Sequence, residues 1–293
     1  MKKFLPIITA VLGNTVWGFC YPFTKVAFQY AEPEVILSMR FTMAFLMLNF
    51  LILIGKGKVN FKGKDMRPVL LLAGTELLYF YFESYGILYT NATFAGVMLA
   101  VVPVVSIFVA MIFLKEYPTK KQAMYCTLPV LGVIIMTVSG SSLGIIKPVG
   151  VFFLLCCCLS SAVYKTANRK SAEQFTPFER TYVLIFACAV GFTVSAIIKA
   201  KGDLSVYAEP MGEPVVWICI TMLSIFGSLL ANTMVNHAAG HMSVVKLSTF
   251  GALTTLVSAF TGIVFLHEPI SAMILAGAAL IVFGIWKVTT SGK

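Results

Sequence analysis

The sequence predicts an all-α membrane protein with ten transmembrane helices, arranged as two inverted five-helix repeats. The first observation behind this fold class is composition, because 59% of the 293 residues are hydrophobic and only 12% are charged. A soluble domain carries about 25% charged residues. The second observation is a series of long apolar runs, and the third is a similarity between the two halves of the chain. Long runs argue against a transmembrane β-barrel, whose strands alternate over about ten residues.

Ten apolar runs have roughly the 20 residues that a helix needs to cross the hydrocarbon core of a bilayer. In chain order they cover about 4–28, 34–54, 67–88, 92–114, 121–139, 148–167, 178–198, 215–236, 242–266 and 270–288. The first run could imitate a secretory signal, but it has no small-residue cleavage site and further runs follow it. We therefore interpret it as a retained helix.

Lysine and arginine follow the positive-inside rule if the amino terminus is cytoplasmic and each helix reverses direction. The inner side then holds fourteen basic residues: Lys2, Lys3, Lys56, Lys58, Lys62, Lys64, Arg67, Lys115, Lys120, Lys121, Arg169, Lys170, Lys287 and Lys293. The outer side holds three: Lys147, Lys199 and Lys201. The sequence predicts a multi-pass protein of the plasma (inner) membrane with both termini cytoplasmic. Contact with the anionic leaflet of the membrane, rather than with a nucleic acid, then accounts for its net charge of +10.

The two halves of the chain match at a nearly constant spacing. "LKEYP" at 114–118 matches "LHEP" at 266–269, an offset of 152, and Pro33 matches Pro177, an offset of 144. Five runs per half is an odd number, so the second copy enters the membrane inverted. Inverted repeats are the usual architecture of secondary transporters, with the substrate near the midplane. The predicted repeats are residues 1–140 and 147–293.

Short motifs in a fixed order run through nearly the whole chain. They are "WGFCYPFTK" (17–25), "PEVILSMRF" (33–41), "TNATFAGVMLAVVPVVS" (90–106), "LKEYPTKKQ" (114–122) and "LHEP" (266–269). With two five-helix copies, the chain resembles the EamA family of the drug/metabolite transporter superfamily. The resemblance implies a proton- or gradient-driven carrier of small metabolites that works by alternating access, and it implies no particular substrate. One departure is that Arg180 stands three residues after Pro177, whereas Arg40 stands seven after Pro33.

The third run contains two glutamates within an aromatic stretch, "GTELLYFYFESYG". Counted at 1.5 Å per residue from Arg67, Glu76 lies about 13–14 Å deep in a core of roughly 30 Å. Glu83 follows after nearly two turns, and Tyr79 and Phe80 fill the same face between them. A carboxylate in hydrocarbon is costly and marks a functional site by default. These four residues are predicted to bind substrate.

The second half of the chain lacks carboxylates at the matching positions. At an offset of 152, Glu76 corresponds to Ser228 and Glu83 to Val235. The repeated scaffold therefore does not require acids there. This asymmetry points to substrate chemistry rather than folding.

Two other helices supply further candidate binding residues. Asn14, Trp17 and Tyr21 share one face of the first helix, and Asn232 is a polar residue of the eighth. Aromatic rings beside a mid-membrane carboxylate suit an ammonium group, which sits over the ring faces while the acid balances its charge. A carboxyl group withdrawn from water could instead carry a coupling proton.

Structural alternatives stay open for these residues. The aromatic stripe could be packing, and Glu76 or Glu83 could form a buried salt bridge with Arg40 or Lys25. Arg40 and Lys246 could extend to the membrane surface, as long basic side chains often do. If either cation faces a cavity instead, it could hold a substrate carboxylate, and the protein would carry amino acids.

The sequence thus predicts a secondary active transporter of a small organic cation or zwitterion, choline-like or amine-bearing. The alternative in the same class is an exporter of amino acids or other metabolites. An intramembrane enzyme or a receptor is a remote alternative, because no metalloprotease helix, serine–histidine constellation, aspartate pair or extramembrane domain is present. The expected partners are a small-molecule substrate, the lipid bilayer and a coupling proton.

No cofactor or metal is predicted. His237 and His241 are four residues apart on one helix, but no acidic residue accompanies them. The sequence does not decide between a monomer and a homodimer, nor between import and export.

Overall fold

The structure is a computed structural model that describes residues 4–90, 98–99, 101–138, 147–266 and 272–291. Every regular element within those residues is helical, as predicted. The main helices are α1 (Leu5–Ala27), α2 (Pro33–Leu53), α3 (Arg67–Tyr89), α4 (Val102–Leu114), α5 (Lys120–Val138), α6 (Pro148–Ser171), α7 (Pro177–Lys199), α8 (Pro214–His241), α9 (Val244–Phe250), α10 (Ala252–Leu266) and α11 (Ala272–Thr290).

By length and composition, four of these helices are able to cross a membrane: α2, α6, α7 and α8. Shorter apolar helices accompany them. Large apolar side chains such as Leu53, Ile112 and Ile198 point outward and are more than 70% exposed. Such a surface suits lipid rather than water. The count of ten helices stays a prediction, because residues 91–97 and 267–271, which include the "HEP" of the second repeat motif, lie outside the described part of the chain.

Helix α1 is closely packed between two other helices. A Cβ added at Gly13 would lie 2.8 Å from Val235 in α8, and one added at Gly18 would lie 2.6 Å from Val257 in α10. Small residues allow such close approach between membrane helices. The helix continues through Pro22 without ending there.

Helix α3 carries the predicted glutamates and packs along α6 and α7. Its buried side chains join those of α2 and α7 in one apolar cluster, which includes Phe41, Leu72, Leu184 and Phe192. Phe41 and Phe192 stack with ring centroids 5.8 Å apart. This cluster fixes the rotation of α3 and so directs its polar stripe toward α2 and α6.

Loops 54–66 and 172–176 meet at one end of the molecule, called the basic end. Glu179 is 3% exposed and caps α7 there, accepting the backbone N–H of Thr176 at 2.8 Å. Its carboxylate also accepts the N–H of Asn60 at 2.9 Å and pairs with Lys64 at 2.7 Å. One side chain therefore joins the start of α7 to the loop between α2 and α3.

Glu179→Ala is expected to destabilise the fold by about 2–4 kcal/mol, because it removes a helix cap and several charge-assisted hydrogen bonds. Thermal unfolding of the purified protein in detergent measures the change. The matched control is Glu173→Ala, since Glu173 is exposed and pairs with Lys170 three residues away. The control should cost less than about 1 kcal/mol. Equal melting temperatures for the two variants would contradict this role of Glu179.

Candidate functional site

Glu76 is buried inside α3 and is only 8% exposed. No residue in the described part of the chain donates it a hydrogen bond or forms an ion pair with it. It interacts electrostatically with Arg40, Lys165 and Glu83. A buried carboxylate normally obtains donors, because desolvation without them is costly. Glu76 therefore has unused hydrogen-bonding capacity toward the described surroundings.

Arg40 in α2 is the first cation near Glu76 and is 6% exposed. Its Nε donates to the Ser228 hydroxyl at 2.9 Å, and its guanidinium lies 5.2 Å and 5.8 Å from the ring centroids of Phe41 and Phe80. Ser228 is the residue that the repeat aligns with Glu76. A side chain at Gly227 would meet the guanidinium at 2.9 Å, so this glycine makes room for it. Arg40 thus points inward and does not extend to the surface.

Glu83 and Tyr79 form a pair on the same face of α3. The Tyr79 hydroxyl donates to Glu83 Oε1 at 2.8 Å. Phe80 contacts Tyr79, Phe41 and the Arg40 guanidinium through its ring. The predicted stripe is therefore one continuous polar and aromatic surface, in which Glu83 is hydrogen-bonded and Glu76 is not.

Lys165 in α6 is a second cation near Glu76 and is not among the site residues predicted from the sequence. The side chain is half-buried and interacts electrostatically with Glu76, Cys158 and Cys126. The described residues provide it with no hydrogen bond or ion pair. One signal could have found it: an offset of 144 aligns Lys165 with Tyr21, a predicted binding residue.

The four charges alternate in sign along the helix axes. Counted from the basic end at 1.5 Å per residue, Lys165 lies at about 9 Å and Glu76 at about 13–14 Å. Arg40 follows at about 20 Å and Glu83 at about 24 Å. Two acids and two bases compensate each other in formal charge. Groups of opposite charge therefore lie at successive depths in the helix bundle.

The middle of α8 forms a second part of the candidate site. Residues Leu223–Ala231 are wound as a π-helix, a feature frequent at functional sites. Trp17 Nε1 donates to the Gly227 carbonyl at 3.0 Å, and Asn232 Nδ2 donates to the Ser228 carbonyl at the same distance. Asn232 Oδ1 is buried and has no hydrogen-bond partner among the described residues. Asn232 therefore keeps a free acceptor.

Two of the predicted residues contribute less. Asn14 donates to the Ala10 carbonyl at 2.7 Å and accepts from Thr254 at 3.3 Å, which ties it to α10 rather than to the α3 stripe. The backbone of Tyr21 belongs to α1, but its side chain lies outside what the structure describes. The binding role of all eight predicted residues stays a prediction.

The structural alternatives have different outcomes. Within the described residues, neither Glu76 nor Glu83 forms an ion pair with Arg40 or Lys25. Lys246 does not face the α3 stripe, since its Nζ donates to the Thr289 carbonyl at 3.3 Å near the end of α11.

Ion pairs connect helix ends at both ends of the molecule. At the basic end, Arg169 pairs with Glu116 at 3.3 Å, and Glu116 accepts the N–H of Val244 at 3.1 Å. This carboxylate therefore caps the start of α9. At the opposite end, Lys199 pairs with Glu32 and Glu34, both at 3.1 Å.

A cavity of about 360 Å³ opens at the basic end, between the α4–α5 loop with the start of α5 and the α8–α9 turn with the start of α9. Glu116, Gln122, His241 and Lys246 are among its lining residues, and Glu76 is not. The His237 and His241 rings stack with centroids 4.5 Å apart. No group of three or more potential metal ligands occurs in the described ranges.

The profile of the EamA-like transporter family matches the chain twice, over residues 4–138 and 148–290. The chain belongs to the EamA-like transporter family. The resemblance read from the short motifs is confirmed. This EamA-like transporter is accordingly an integral membrane protein, and its apolar helices are its membrane-spanning elements.

Relatives match this EamA-like transporter over nearly its full length. YcxC of Bacillus subtilis (strain 168), an uncharacterized transporter, is 33% identical over 282 residues. This match covers 95% of this chain and 90% of YcxC. An uncharacterized transporter of Archaeoglobus fulgidus is 25% identical, and the match covers 98% of this chain and 99% of that transporter. A solved crystal structure superposes with a TM-score of 0.82 over 98% of this chain and 99% of that chain, at 16% identity. That likeness shows the fold alone.

Proposed function

We propose that this EamA-like transporter is a secondary active carrier that moves a small organic cation or zwitterion by alternating access. The observation that carries this proposal is Glu76, a buried carboxylate that receives no hydrogen bond from any described residue. A substrate ammonium group would supply a positive charge in contact with this carboxylate, and a primary ammonium group would also supply N–H donors. Phe80 and Tyr79 lie one turn away on the same face, and their rings suit the cation.

The same carboxylate suits coupling to a proton. An ionised carboxylate deep in a membrane is stabilised by a cation or is neutralised by a proton. A proton and a substrate ammonium group therefore compete for Glu76. A carrier that exchanges one for the other on opposite sides of the membrane needs no second coupling ion.

Alternating access is supported by how the helices pack. The predicted repeat exchanges α1 with α6, α2 with α7, α3 with α8, α4 with α9–α10, and α5 with α11. Under this exchange, the contact between α3 and α6 corresponds to the contact between α8 and α1. The contact between α4 and α6 likewise corresponds to the contact between α10 and α1. All four contacts occur in the structure. Because the same helix contacts recur when the two halves are exchanged, the packing favours two repeats, 1–140 and 147–293, that move relative to each other.

The ion pairs at the two ends suit such a movement. The Glu116–Arg169 pair joins the halves at the basic end, and the Lys199–Glu34 pair joins them at the opposite end. Breaking one pair while the other holds would open the site to one side. We place the basic end and both termini in the cytoplasm of a cell with this protein in its plasma (inner) membrane, because lysine and arginine collect there.

Counterflow in proteoliposomes tests the proposal. Liposomes that contain the purified protein and an unlabelled test compound should accumulate the same labelled compound above protein-free liposomes. We expect saturable exchange of at least one amine-bearing compound among choline, glycine betaine, phenethylamine and phenylalanine. 3-Phenylpropionate lacks the amine and should not exchange. Exchange of 3-phenylpropionate alone, or of none of the five, would contradict the proposal.

A further inference from the structure

Lys165 lies within the protein rather than against lipid. Its charge interacts with Glu76 of α3, Cys126 of α5 and Cys158 of α6. A Cβ added at Gly251 would lie 3.9 Å from Lys165 Nζ, so the ammonium group also faces the junction of α9 and α10. Groups from four parts of the fold therefore lie within electrostatic range or near contact of this ammonium group. Two thiols are weak hydrogen-bond partners and do not neutralise its charge in the way that a carboxylate would.

The ammonium group of Lys165 stays at depth. Gly251 is seven residues into the α9–α10 segment from the basic end, about 10 Å by helix rise. Lys165 itself is about 9 Å along α6 from the same end. Its Nζ therefore lies level with its own backbone instead of extending to the surface. Lys246 shows the contrasting behaviour, because its Nζ donates to the Thr289 carbonyl near the end of α11.

Lys165 is also the freer of the two cations near Glu76. Arg40 donates to Ser228 and lies against two phenylalanine rings, so its guanidinium is already engaged. Lys165 donates to no described residue and keeps part of its surface exposed. A half-buried ammonium group without an acceptor is a binding position for an anionic group.

We propose that Lys165 binds the anionic group of the substrate, so that the site takes a zwitterion whose ammonium group meets Glu76. This inference rests on the proposed function, since it needs Glu76 to hold the amine. The two side chains are offset by about 5 Å along the helix axes, a span that a compact zwitterion can bridge. Charge-assisted hydrogen bonds from Lys165 would fix the carboxylate.

Two matched pairs of compounds test the role of Lys165: glycine betaine against choline, and phenylalanine against phenethylamine. Each pair differs at the carboxylate and keeps the cationic group. Equilibrium binding is measured by calorimetry on purified full-length protein. In at least one pair, the unmodified protein should bind the zwitterion about tenfold or more tighter than the cation. Lys165→Met should bring that ratio to about one without weakening the affinity for the cation.

Controls separate charge from folding. Lys165→Arg keeps the charge and should keep a preference for the zwitterion. Lys121→Met removes an exposed lysine of the basic end and should behave like the unmodified protein. A change in thermal stability without a change in the ratio would mean that Lys165 has a structural role only, which overturns the inference.

The outcomes distinguish the two proposals. If in both pairs the cation binds as tightly as its zwitterion partner, or if Lys165→Met keeps the ratio, the inference fails. The proposed function then still stands, provided that Glu76→Gln abolishes binding. If none of the four compounds binds, or if binding is independent of Glu76, the proposed function and the inference fail together.

Discussion

Replacing Arg180 by methionine is expected to destabilise the folded protein by about 3–5 kcal/mol. Arg180 is 1% exposed and donates to the backbone carbonyls of Asn168 at 2.9 Å and Asn236 at 2.6 Å. These carbonyls lie near the C-terminal ends of α6 and α8, where helix dipoles favour a positive charge. No acidic partner of Arg180 occurs in the described ranges. The helix ends therefore provide its counter-charge.

The loss of Arg180 would also disturb the hydrogen bonds made by the neighbouring side-chain amides of Asn168 and Asn236. Asn168 Nδ2 donates to Asn236 Oδ1 at 2.7 Å, and Asn236 Nδ2 donates to the Thr181 hydroxyl at 2.8 Å. Each buried polar group left without a partner costs about 1–3 kcal/mol. This network joins α6, α7 and α8 at a single point, so methionine removes a contact shared by three helices.

Thermal unfolding in detergent measures the effect of Arg180→Met. Arg180→Lys should give an intermediate result, because lysine keeps the charge but lacks the planar fork that reaches two carbonyls. Arg67→Met is the matched control, since Arg67 is exposed at the start of α3. An Arg180→Met protein that melts with the control would contradict the proposed clamp.

Replacing Glu76 by glutamine is expected to abolish counterflow while leaving thermal stability unchanged or raised. Glutamine keeps the size of the side chain but cannot balance an ammonium charge or exchange a proton. Removal of a buried charge that lacks hydrogen bonds also relieves a desolvation cost, and such trade-offs are typical of functional residues. If Glu76 were a structural ion-pair partner, the variant would instead lose stability.

Two variants provide the comparison for Glu76→Gln. Glu209→Gln alters an exposed glutamate between α7 and α8 and should change neither counterflow nor stability. Glu83→Gln replaces the charged acceptor of the Tyr79 hydroxyl by a neutral amide oxygen and weakens that hydrogen bond, so it should affect stability more than Glu76→Gln does. A Glu76→Gln protein with normal counterflow would remove the basis of the proposed function.

The sequence predicts the fold class well because the bilayer imposes simple requirements. Apolar runs near 20 residues long become helices such as α2 (Pro33–Leu53) and α7 (Pro177–Lys199), within a few residues of the predicted bounds. Details that depend on packing are not accessible in the same way. The length of an apolar run indicates neither the π-helix at Leu223–Ala231, whose Gly227 carbonyl accepts from Trp17, nor the passage of α1 through Pro22.

The candidate site is predictable in part. The face shared by Glu76, Tyr79 and Glu83 follows from helical spacing alone, and the structure keeps it together. Periodicity within one helix cannot reveal which residues of other helices face that stripe. Arg40 reaches it from α2, and Lys165 from α6, because α3 packs along α6 and its Phe80 ring contacts Phe41 of α2.

Equilibrium binding to the unmodified protein and to Glu76→Gln tests the central claim most directly, with the four amine-bearing compounds as ligands in calorimetry. The account predicts that at least one compound binds the unmodified protein and binds Glu76→Gln about 100-fold more weakly, since a buried charge pair loses one partner. The Glu209→Gln control should bind like the unmodified protein. Equal affinities for the unmodified protein and Glu76→Gln would contradict the claim that this carboxylate holds the substrate.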